Sequence, residues 1–168
     1  EQCGVTPGMP VAEAARRLLA TDPSDTGVGT KVRREVVETS PTGRQVVVTD
    51  SIIFARPEDR DRNVLVTAGH TGRSGASFLL EFRPWGFICS DGGGAKNDSG
   101  TAGLAIVEEH GLAGASVSAM TAAIGDAQSS YVDGIIAACN EPARRRGVAV
   151  GMPAKQAAHL LLAEVPTP

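Results

Sequence analysis

The amino-acid sequence predicts an α/β fold with a central, mostly parallel sheet, flanking helices and an N-terminal antiparallel hairpin extension. Short apolar runs alternate with helical patterns over residues 63–168, which is typical of βαβ units. Before them, two β-branched runs flank a turn at Ser40–Gly43, which indicates the hairpin. The 168 residues are 42% hydrophobic and 21% charged, which is sufficient for one buried core. We therefore predict a single domain, 1–168, with a helical arm (1–29), the hairpin (30–56) and a βαβ core that closes with a C-terminal helix (63–168).

The arm begins with a cassette that recurs at the other end of the chain. GVTPGMPVAEAARRLLA (Gly4–Ala20) and GVAVGMPAKQAAHLLLA (Gly147–Ala163) are identical at ten of 17 positions. The apolar residues repeat at helical spacing, and Pro10 suits a first helical turn. Because no acid, base or nucleophile is common to both copies, we interpret the cassette as a helix-start module. We expect the two helices to pack against each other or against their copies in a symmetric homo-oligomer; a recognised linear motif is the alternative.

Turn signals and β-branched runs define the next elements. The turn-rich segment Thr21–Thr30 ends the first helix, and KVRREVVET and GRQVVVTDSIIFA are the two arms of the hairpin. The segment Ala55–Asn63 is predicted to be a charged surface loop.

The core alternates strands with helices. NVLVTAG, GFICSD and AGASVSAM are predicted to be its buried strands. SGASFLLEFRP is a helix that Pro84 stops, and DSGTAGLAIVEEHG is a helix that begins at Asp98 or Ser99 and stops at Gly111. SSYVDGIIAACNEPARRRG is predicted to be a longer helix, kinked near Pro142.

Composition and charge exclude several classes of function. The formal net charge of −3 lacks the basic excess of nucleic-acid-binding proteins, and we interpret Arg144–Arg146 as a solvated helix end, with a phosphate-binding patch as the alternative. No apolar run approaches the roughly 18 residues of a membrane span, so no membrane partner is expected. Three widely spaced cysteines indicate neither a disulfide framework nor a metal site, and Cys89 is expected to be a buried apolar residue. We expect a cytoplasmic protein.

Three loops hold most of the closely grouped glycine and polar residues. They are TAGHTGRSGAS (67–77), SDGGGAKNDSG (90–100) and SAMTAAIGDAQSS (118–130), and each follows a predicted parallel strand. Ligands of open α/β sheets bind beyond the carboxyl ends of the strands. If these strands are neighbours, the three loops converge on one candidate site.

The first loop combines glycines with a histidine and a serine at the start of a helix. Its glycines permit tight turns, and helix-start N–H groups attract anions. His70 is a candidate acid, base or metal ligand, and Ser74 is a candidate nucleophile, although GRSGA is not the GxSxG elbow. Gly69 and Arg73 are candidate substrate-binding residues. Alternatively, Ser74 caps the helix and His70 bonds a neighbouring loop.

The second loop is the strongest signal, because consecutive glycines lose much conformational entropy on ordering. Its candidate substrate-binding residues are Gly92, Gly93, Gly94, Asn97 and Asp98. Asp91 and Lys96 are candidate catalytic residues, since a lysine beside carboxylates binds an anionic substrate or transfers a proton. The alternative is a flexible turn in which Asp98 caps the next helix.

The third loop supplies Asp126 as a candidate base, metal ligand or helix cap, and Ser118 as a candidate substrate-binding residue. A Ser/His/Asp arrangement of Ser74 or Ser118 with His70 and Asp126 is one alternative. A metal site of His70, Asp91 and Asp126 is weaker, because no pair has the spacing of metal ligands.

From Trp85 onward, WGFICSDGG, EEHGLAGASVS and RRRGVAVGMPAKQAAHLLL resemble a small bacterial family of unknown function, the YunC-like domains. The resemblance covers roughly half of this chain. It implies a compact α/β domain that closes with a Gly-Met helix, and it implies no reaction. The GHTGRSG loop, the richer Gly-Lys-Asp loop and the N-terminal cassette depart from the family's pattern.

Together these observations favour an enzyme that acts on a small, polar, anionic metabolite, with hydrolysis of an amide or related C–N bond as the first hypothesis. His70 or Asp126 would be the base, the N–H groups of residues 92–94 would hold developing negative charge, and Lys96 and Arg73 would orient the substrate. A lyase or isomerase that uses Lys96 and Asp91 is a close alternative, and a non-catalytic metabolite-binding or oligomeric assembly module is another. No cofactor is predicted, with a divalent metal kept as an alternative.

Overall fold

A computed structural model of the protein describes residues 3–21 and 33–163. The chain divides into two units, Glu1–Lys31 and Val32–Pro168. The predicted turn that follows Thr21 and the first residues of the predicted hairpin lie outside the described residues.

The two cassettes build the same local structure. Helix α1 (Val11–Leu19) lies in the first unit, and helix α6 (Ala154–Leu162) lies in the second. Each is preceded by a glycine in the left-handed region, with φ of +86° and +89°, and then by Met-Pro. The prolines that precede the two helices have nearly the same backbone angles: φ and ψ are −56° and 137° at Pro10 and −61° and 139° at Pro153. The cassette therefore begins a helix twice, as predicted.

The two helices differ in what covers their apolar faces. Helix α6 buries Ala154, Ala157, Ala158, Leu161 and Leu162. At the equivalent positions α1 carries Val11, Ala14, Ala15, Leu18 and Leu19. None of the residues of α1 is buried, and Leu19 is 86% exposed. The repeated apolar side chains are therefore buried in α6 and not in α1.

The second unit is built on a six-stranded sheet whose strands lie side by side in chain order. The strands are β1 (Arg34–Thr39), β2 (Gln45–Thr49), β3 (Val64–His70), β4 (Gly86–Ser90), β5 (Ala113–Val117) and β6 (Ile136–Cys139). β2 to β5 are mutually parallel, whereas β1 and β6 pair antiparallel with their neighbours. The predicted α/β class with an antiparallel hairpin is confirmed, and β2 is both a hairpin arm and the first parallel strand.

Helices cover both faces of the sheet, as buried parallel strands require. On one face pack α4 (Ala127–Val132), α5 (Glu141–Arg145) and α6, and on the other pack α2 (Arg73–Phe82) and α3 (Gly103–Glu108). Short 3-10 helices occupy Ile52–Phe54, Pro57–Asp59 and Lys96–Asp98. Within residues 3–21 and 33–163, no helix has both the length and the apolar character needed to cross a bilayer.

The predicted long helix over SSYVDGIIAACNEPARRRG is wrong, because the structure contains α4, β6 and α5 there. β6 pairs antiparallel with β5 and so supplies hydrogen-bond partners to the backbone of that strand. The chain leaves α4 at Gly134, where a Cβ would lie 2.3 Å from the carbonyl oxygen of Ser130, so this backbone path requires glycine. Pro142 lies in the first turn of α5, where no intrahelical N–H is needed, and not at a kink.

Two other element boundaries differ from prediction. β2 ends at Thr49, and Ile52–Phe54 forms a 3-10 helix instead of continuing the strand. The helix expected from Asp98 begins only at Gly103. Asp98 has a φ of +54°, so the helix does not run through it, and the N-cap residue is Ala102, so neither Asp98 nor Ser99 is its cap.

The charged loop after β2 is fastened by a buried carboxylate. Asp59 is fully buried and accepts hydrogen bonds from Arg34 at 2.8 Å, the Asn63 amide at 2.9 Å and the Arg56 N–H at 2.7 Å. Burial by itself would raise the pKa of Asp59, but these hydrogen bonds and the Arg34 charge hold it below its usual value. The loop is therefore anchored to β1 by an ionised side chain.

Candidate functional site

The three predicted loops meet at the carboxyl edge of the sheet. β3, β4 and β5 are parallel neighbours, so the residues that follow them leave the sheet at the same edge. The N–H of Thr71 donates to the carbonyl of Ser90 at 3.0 Å, and the N–H of Asp91 donates to the carbonyl of Val117 at 2.8 Å. The structure thus brings the first loop against the second, and the second against the start of the third.

His70, the last residue of β3, has a hydrogen bond that fixes its tautomer. The N–H of Gly72 donates to Nδ1 of His70 at 3.0 Å. Because Nδ1 accepts this bond, the proton of the neutral imidazole lies on Nε2. A Cβ at Gly72 would lie 2.8 Å from Nδ1, so this approach requires glycine. Since His70 is exposed, its Nε2–H is a donor at the rim of the carboxyl edge.

The first turn of α2 adds donors next to His70. The N–H groups of Gly75 and Ala76 donate to the carbonyl of Gly72, whereas those of Arg73 and Ser74 have no acceptor in the described part of the chain. Arg73 is exposed and forms no ion pair among the described residues. Gly72 is the N-cap residue, so the alternative in which Ser74 caps this helix is wrong. Ser74 is exposed in the first turn.

Asp91 organises the second loop through one of its two carboxylate oxygens. Oδ1 accepts from the N–H of Gly93 at 2.7 Å and from the N–H of Ala119 at 2.9 Å, which joins the second loop to the third. The neighbouring Ser90 hydroxyl accepts from the N–H of Gly92 at 3.1 Å. Oδ2 of Asp91 has no partner among residues 3–21 and 33–163. Asp91 is therefore an anchor with one free, half-buried oxygen.

The glycine loop follows a backbone path that few sequences accept. Positive φ angles occur at Gly92, Gly93, Gly94, Ala95, Asn97 and Asp98. For the last three of these residues such angles are strained, and strain of this kind concentrates at ligand-binding sites. Hydrogen bonds from the Gly94 N–H to the Asp91 carbonyl and from the Gly100 N–H to the Gly94 carbonyl hold the loop closed.

The glycine loop lies against His70. A Cβ on Gly92 would be 3.2 Å from the Cβ of His70. Lys96 and Asn97 are exposed, and in the described part of the chain Lys96 has no ion pair and the N–H groups of Ala95, Lys96 and Asn97 have no acceptor.

The charged side chains around His70 balance, with Arg73 and Lys96 against Asp91 and Asp98. The excess at this edge is therefore in N–H donors: the His70 ring and the free backbone groups of the first and second loops. Donors with this arrangement recognise carboxylate, phosphate or a developing oxyanion.

Asp126 stands apart from this group. Its side chain accepts from the N–H groups of Gln128 at 2.9 Å and Ser129 at 3.2 Å, so it caps α4, and it pairs with Arg33 at 3.1 Å. Ser118 accepts from the Met120 N–H. The expected Ser/His/Asp arrangement is not formed in this structure, because Nδ1 of the histidine is taken by a backbone N–H and the aspartate is used as a cap.

A row of buried polar side chains lies beneath the site, and sequence reasoning missed it. Thr71 Oγ1 lies 2.6 Å from Ser116 Oγ, and Thr67 Oγ1 lies 3.4 Å from Cys89 Sγ. Thr49 is fully buried, and its hydroxyl has no hydrogen-bond partner. Burial raises the pKa of the Cys89 thiol to about 11, so this cysteine is not a nucleophile. The sequence signal that could have predicted this row is the presence of threonine and serine in strands that are otherwise apolar.

Among the described residues, no group of three or more His, Cys, Asp or Glu side chains is arranged to hold a metal ion. No protein-family model, no curated protein and no solved structure matches this chain. The resemblance to the YunC-like domains therefore stays a prediction, and function is argued below from the geometry of the site.

Proposed function

We propose that the protein is an enzyme that binds a small anionic metabolite at the carboxyl edge and stabilises negative charge on a carbonyl oxygen, with hydrolysis of an amide or related C–N bond as its reaction. The hydrogen bond from Gly72 to His70 carries this proposal. It leaves Nε2–H as a neutral donor next to the N-terminus of α2, a place that favours negative charge.

The substrate's anionic group is assigned to the free N–H groups and the guanidinium of Arg73 at the start of α2. Lys96 and the glycine loop would close on the same group from the other side. Two cations and several backbone donors at one rim are what a small carboxylate or phosphate requires.

The attacking group is assigned to water, because His70 contacts no serine hydroxyl in the described part of the chain. The free Oδ2 of Asp91 is the group that would accept the proton of that water as its oxygen attacks the carbonyl carbon, and it would pass that proton to the amine nitrogen as the C–N bond breaks. Its other oxygen is fixed by two backbone N–H groups, so the carboxylate is held in place without losing its second acceptor. His70 is thus assigned the role of electrophile and Asp91 that of base.

A lyase or isomerase is the second candidate, favoured by the same free oxygen of Asp91. An aspartate that removes a proton next to a carbonyl needs donors for the enolate oxygen, and His70 Nε2–H would supply one. Lys96 would then hold the substrate or return the proton. This candidate requires no attack by water.

An assembly role is a separate proposal and depends on α1. The exposed stripe of α1 repeats the stripe that α6 buries, which favours a homo-oligomer in which α1 is covered. We also propose a cytoplasmic location, supported by the free thiols of Cys3, Cys89 and Cys139.

The test is a screen of N-acyl and N-carbamoyl amino acids for release of the free amine, followed by substitution of His70. In His70→Asn, the amide oxygen still accepts from Gly72, but the donor at Nε2 is lost. We expect turnover to fall about 10²-fold or more, as for loss of one oxyanion donor. His159→Asn, which changes an exposed histidine of α6, is the matched control and should keep full turnover.

Equal turnover by His70→Asn and the wild type would overturn the assigned role of His70. Saturable binding of these amino acids without any amine release would show a non-catalytic module in place of a hydrolase. Histidine ring ¹⁵N spectra give an independent check, since neutral His70 should carry its proton on Nε2.

A further inference from the structure

A cleft at the amino edge of the sheet has no part in the proposed function. Its lining includes Asp61, Arg83, Trp85, His110, Leu112 and Arg146. Trp85 and Leu112 directly precede β4 and β5, so the cleft lies at the opposite ends of the strands from His70. A five-residue strand separates the two edges by roughly 15 Å.

Arg146 brings a half-buried positive charge to this cleft. Its Nη1 donates to the carbonyls of Trp85 and Leu161, each at 3.0 Å. In the described part of the chain no carboxylate pairs with this guanidinium, and Nε and Nη2 have no acceptor. Burial, followed by the nearby charge of Arg44, lowers the pKa of Arg146, which is the effect of a cation without a counter-ion.

Trp85 adds a second unpartnered donor. The guanidinium carbons of Arg146 and Arg44 lie over its ring, at 4.6 Å and 4.0 Å from the ring centroid. The indole Nε1 is buried and has no hydrogen-bond partner. Buried N–H donors without an acceptor are rare and costly, so an acceptor at this position would stabilise the protein.

The remaining charges of the cleft do not neutralise Arg146. Asp61 is used by Arg83, whose Nε donates to it at 3.0 Å. His110 is exposed at the rim. The lining therefore has a net charge of +1, with two kinds of N–H donor and one carboxylate, Asp61, whose Oδ1 is bonded to Arg83.

We propose that this cleft binds one phosphate-sized oxyanion, held by the Arg146 guanidinium and the indole N–H of Trp85. The space is about 120 Å³. A phosphate group fits such a volume. Arginine favours this class of ligand, because its planar fork donates two parallel hydrogen bonds to an oxyanion.

The single tryptophan of the chain gives a direct assay. Inorganic phosphate is titrated into ¹⁵N-labelled protein at constant ionic strength kept with chloride, and the one indole N–H signal is followed. We expect a saturable shift, with at least tenfold weaker binding in Arg146→Gln. Arg145→Gln is the matched control, because it removes the same charge from the neighbouring residue. The Arg145 side chain is 74% exposed and pairs with Glu141. This variant should bind phosphate within twofold of the wild type.

Absence of a saturable indole shift, or equal weakening by the two arginine variants, would overturn the proposal. Circular dichroism shows whether Arg146→Gln folds. If it does not, Trp85→Phe decides by calorimetry, since it keeps an aromatic ring between the arginines and removes only the N–H. Weaker phosphate binding by this variant supports the site, and unchanged binding overturns it. Arg73→Gln should leave the indole shift intact, which separates this cleft from the carboxyl edge.

Discussion

The two cassettes allow the effect of burial to be measured with one substitution made twice. Leu161 in α6 and Leu18 in α1 occupy equivalent positions of the repeat. Leu161 is fully buried, and a Cβ added at Gly86 of β4 would lie 3.4 Å from its Cβ. Leu18 is 54% exposed. The sequence around the two leucines is alike, so a difference between their alanine variants reports tertiary packing.

We expect Leu161→Ala to lower the free energy of unfolding by about 2–5 kcal/mol, the usual range for a core leucine. Leu18→Ala should cost about 1 kcal/mol or less, because Leu18 is more than half exposed and less than half of the transfer free energy of a leucine is at stake. At roughly 2–4 °C per kcal/mol for a chain of this size, Leu161→Ala should lower Tm by about 4–20 °C. Urea and thermal unfolding followed by circular dichroism and Trp85 fluorescence measure both variants.

Similar losses in the two variants would refute the claim that only the second cassette is a core element. The measurement needs a dilute sample, because association through α1 would add to the cost of Leu18→Ala at high concentration. A loss at Leu18 that grows with protein concentration would instead support the proposed homo-oligomer.

Three further predictions concern the second unit. Asn140→Ala should destabilise it by about 2–4 kcal/mol in urea titrations, because the buried amide accepts from a β5 N–H, donates to a carbonyl at the start of β5 and caps α5. The lowered pKa of Asp59 should add stability that is fully present above its unfolded-state pKa and is lost as pH falls through its lower folded-state pKa; in Asp59→Asn this acid-dependent loss should disappear, although the variant is less stable at neutral pH. Cys89 should resist maleimide in the folded protein at pH 8 and react after unfolding in urea, because its thiol is buried with a pKa of about 11.

Much of the fold follows from local patterns. The β-branched arms around Ser40–Gly43, the apolar runs of β3, β4 and β5, and the helix that stops before Pro84 are all present as predicted. These signals are local, because side-chain periodicity and turn residues act within a few positions of the chain. Gly-Met-Pro before an apolar stripe likewise suffices to begin a helix at both ends of the protein.

The segment GIIAAC shows where local patterns fail. Apolar residues in this run satisfy a helix or a strand equally, and its neighbours favour helix. Pairing with β5 makes it a strand, and that partner lies about 20 residues earlier in the chain. The same applies to the strained residues after Gly94, whose positive φ angles exclude the right-handed helix expected there, and the Gly100 N–H bonds to the Gly94 carbonyl across this segment.

For the candidate site, the sequence identified the three loops and most of the polar residues in them. The role of each polar residue could be assigned only from the tertiary structure, because it depends on which of its atoms already form hydrogen bonds within the protein. Asp126 and Asp91 are both aspartates at the start of a loop or helix, yet one is used as a cap and an ion pair whereas the other keeps a free oxygen.

The sequence by itself determined the α/β class, the hairpin, the duplicated helix start and the position of the glycine-rich loops, because those depend on residues close together in the chain. Only the tertiary structure decided the burial of α6, the strand β6, the donor nitrogen of His70 and the cleft around Arg146. Each of these results from contacts between residues far apart in the sequence, whose hydrogen bonds and packing outweigh the weak local preferences of either segment.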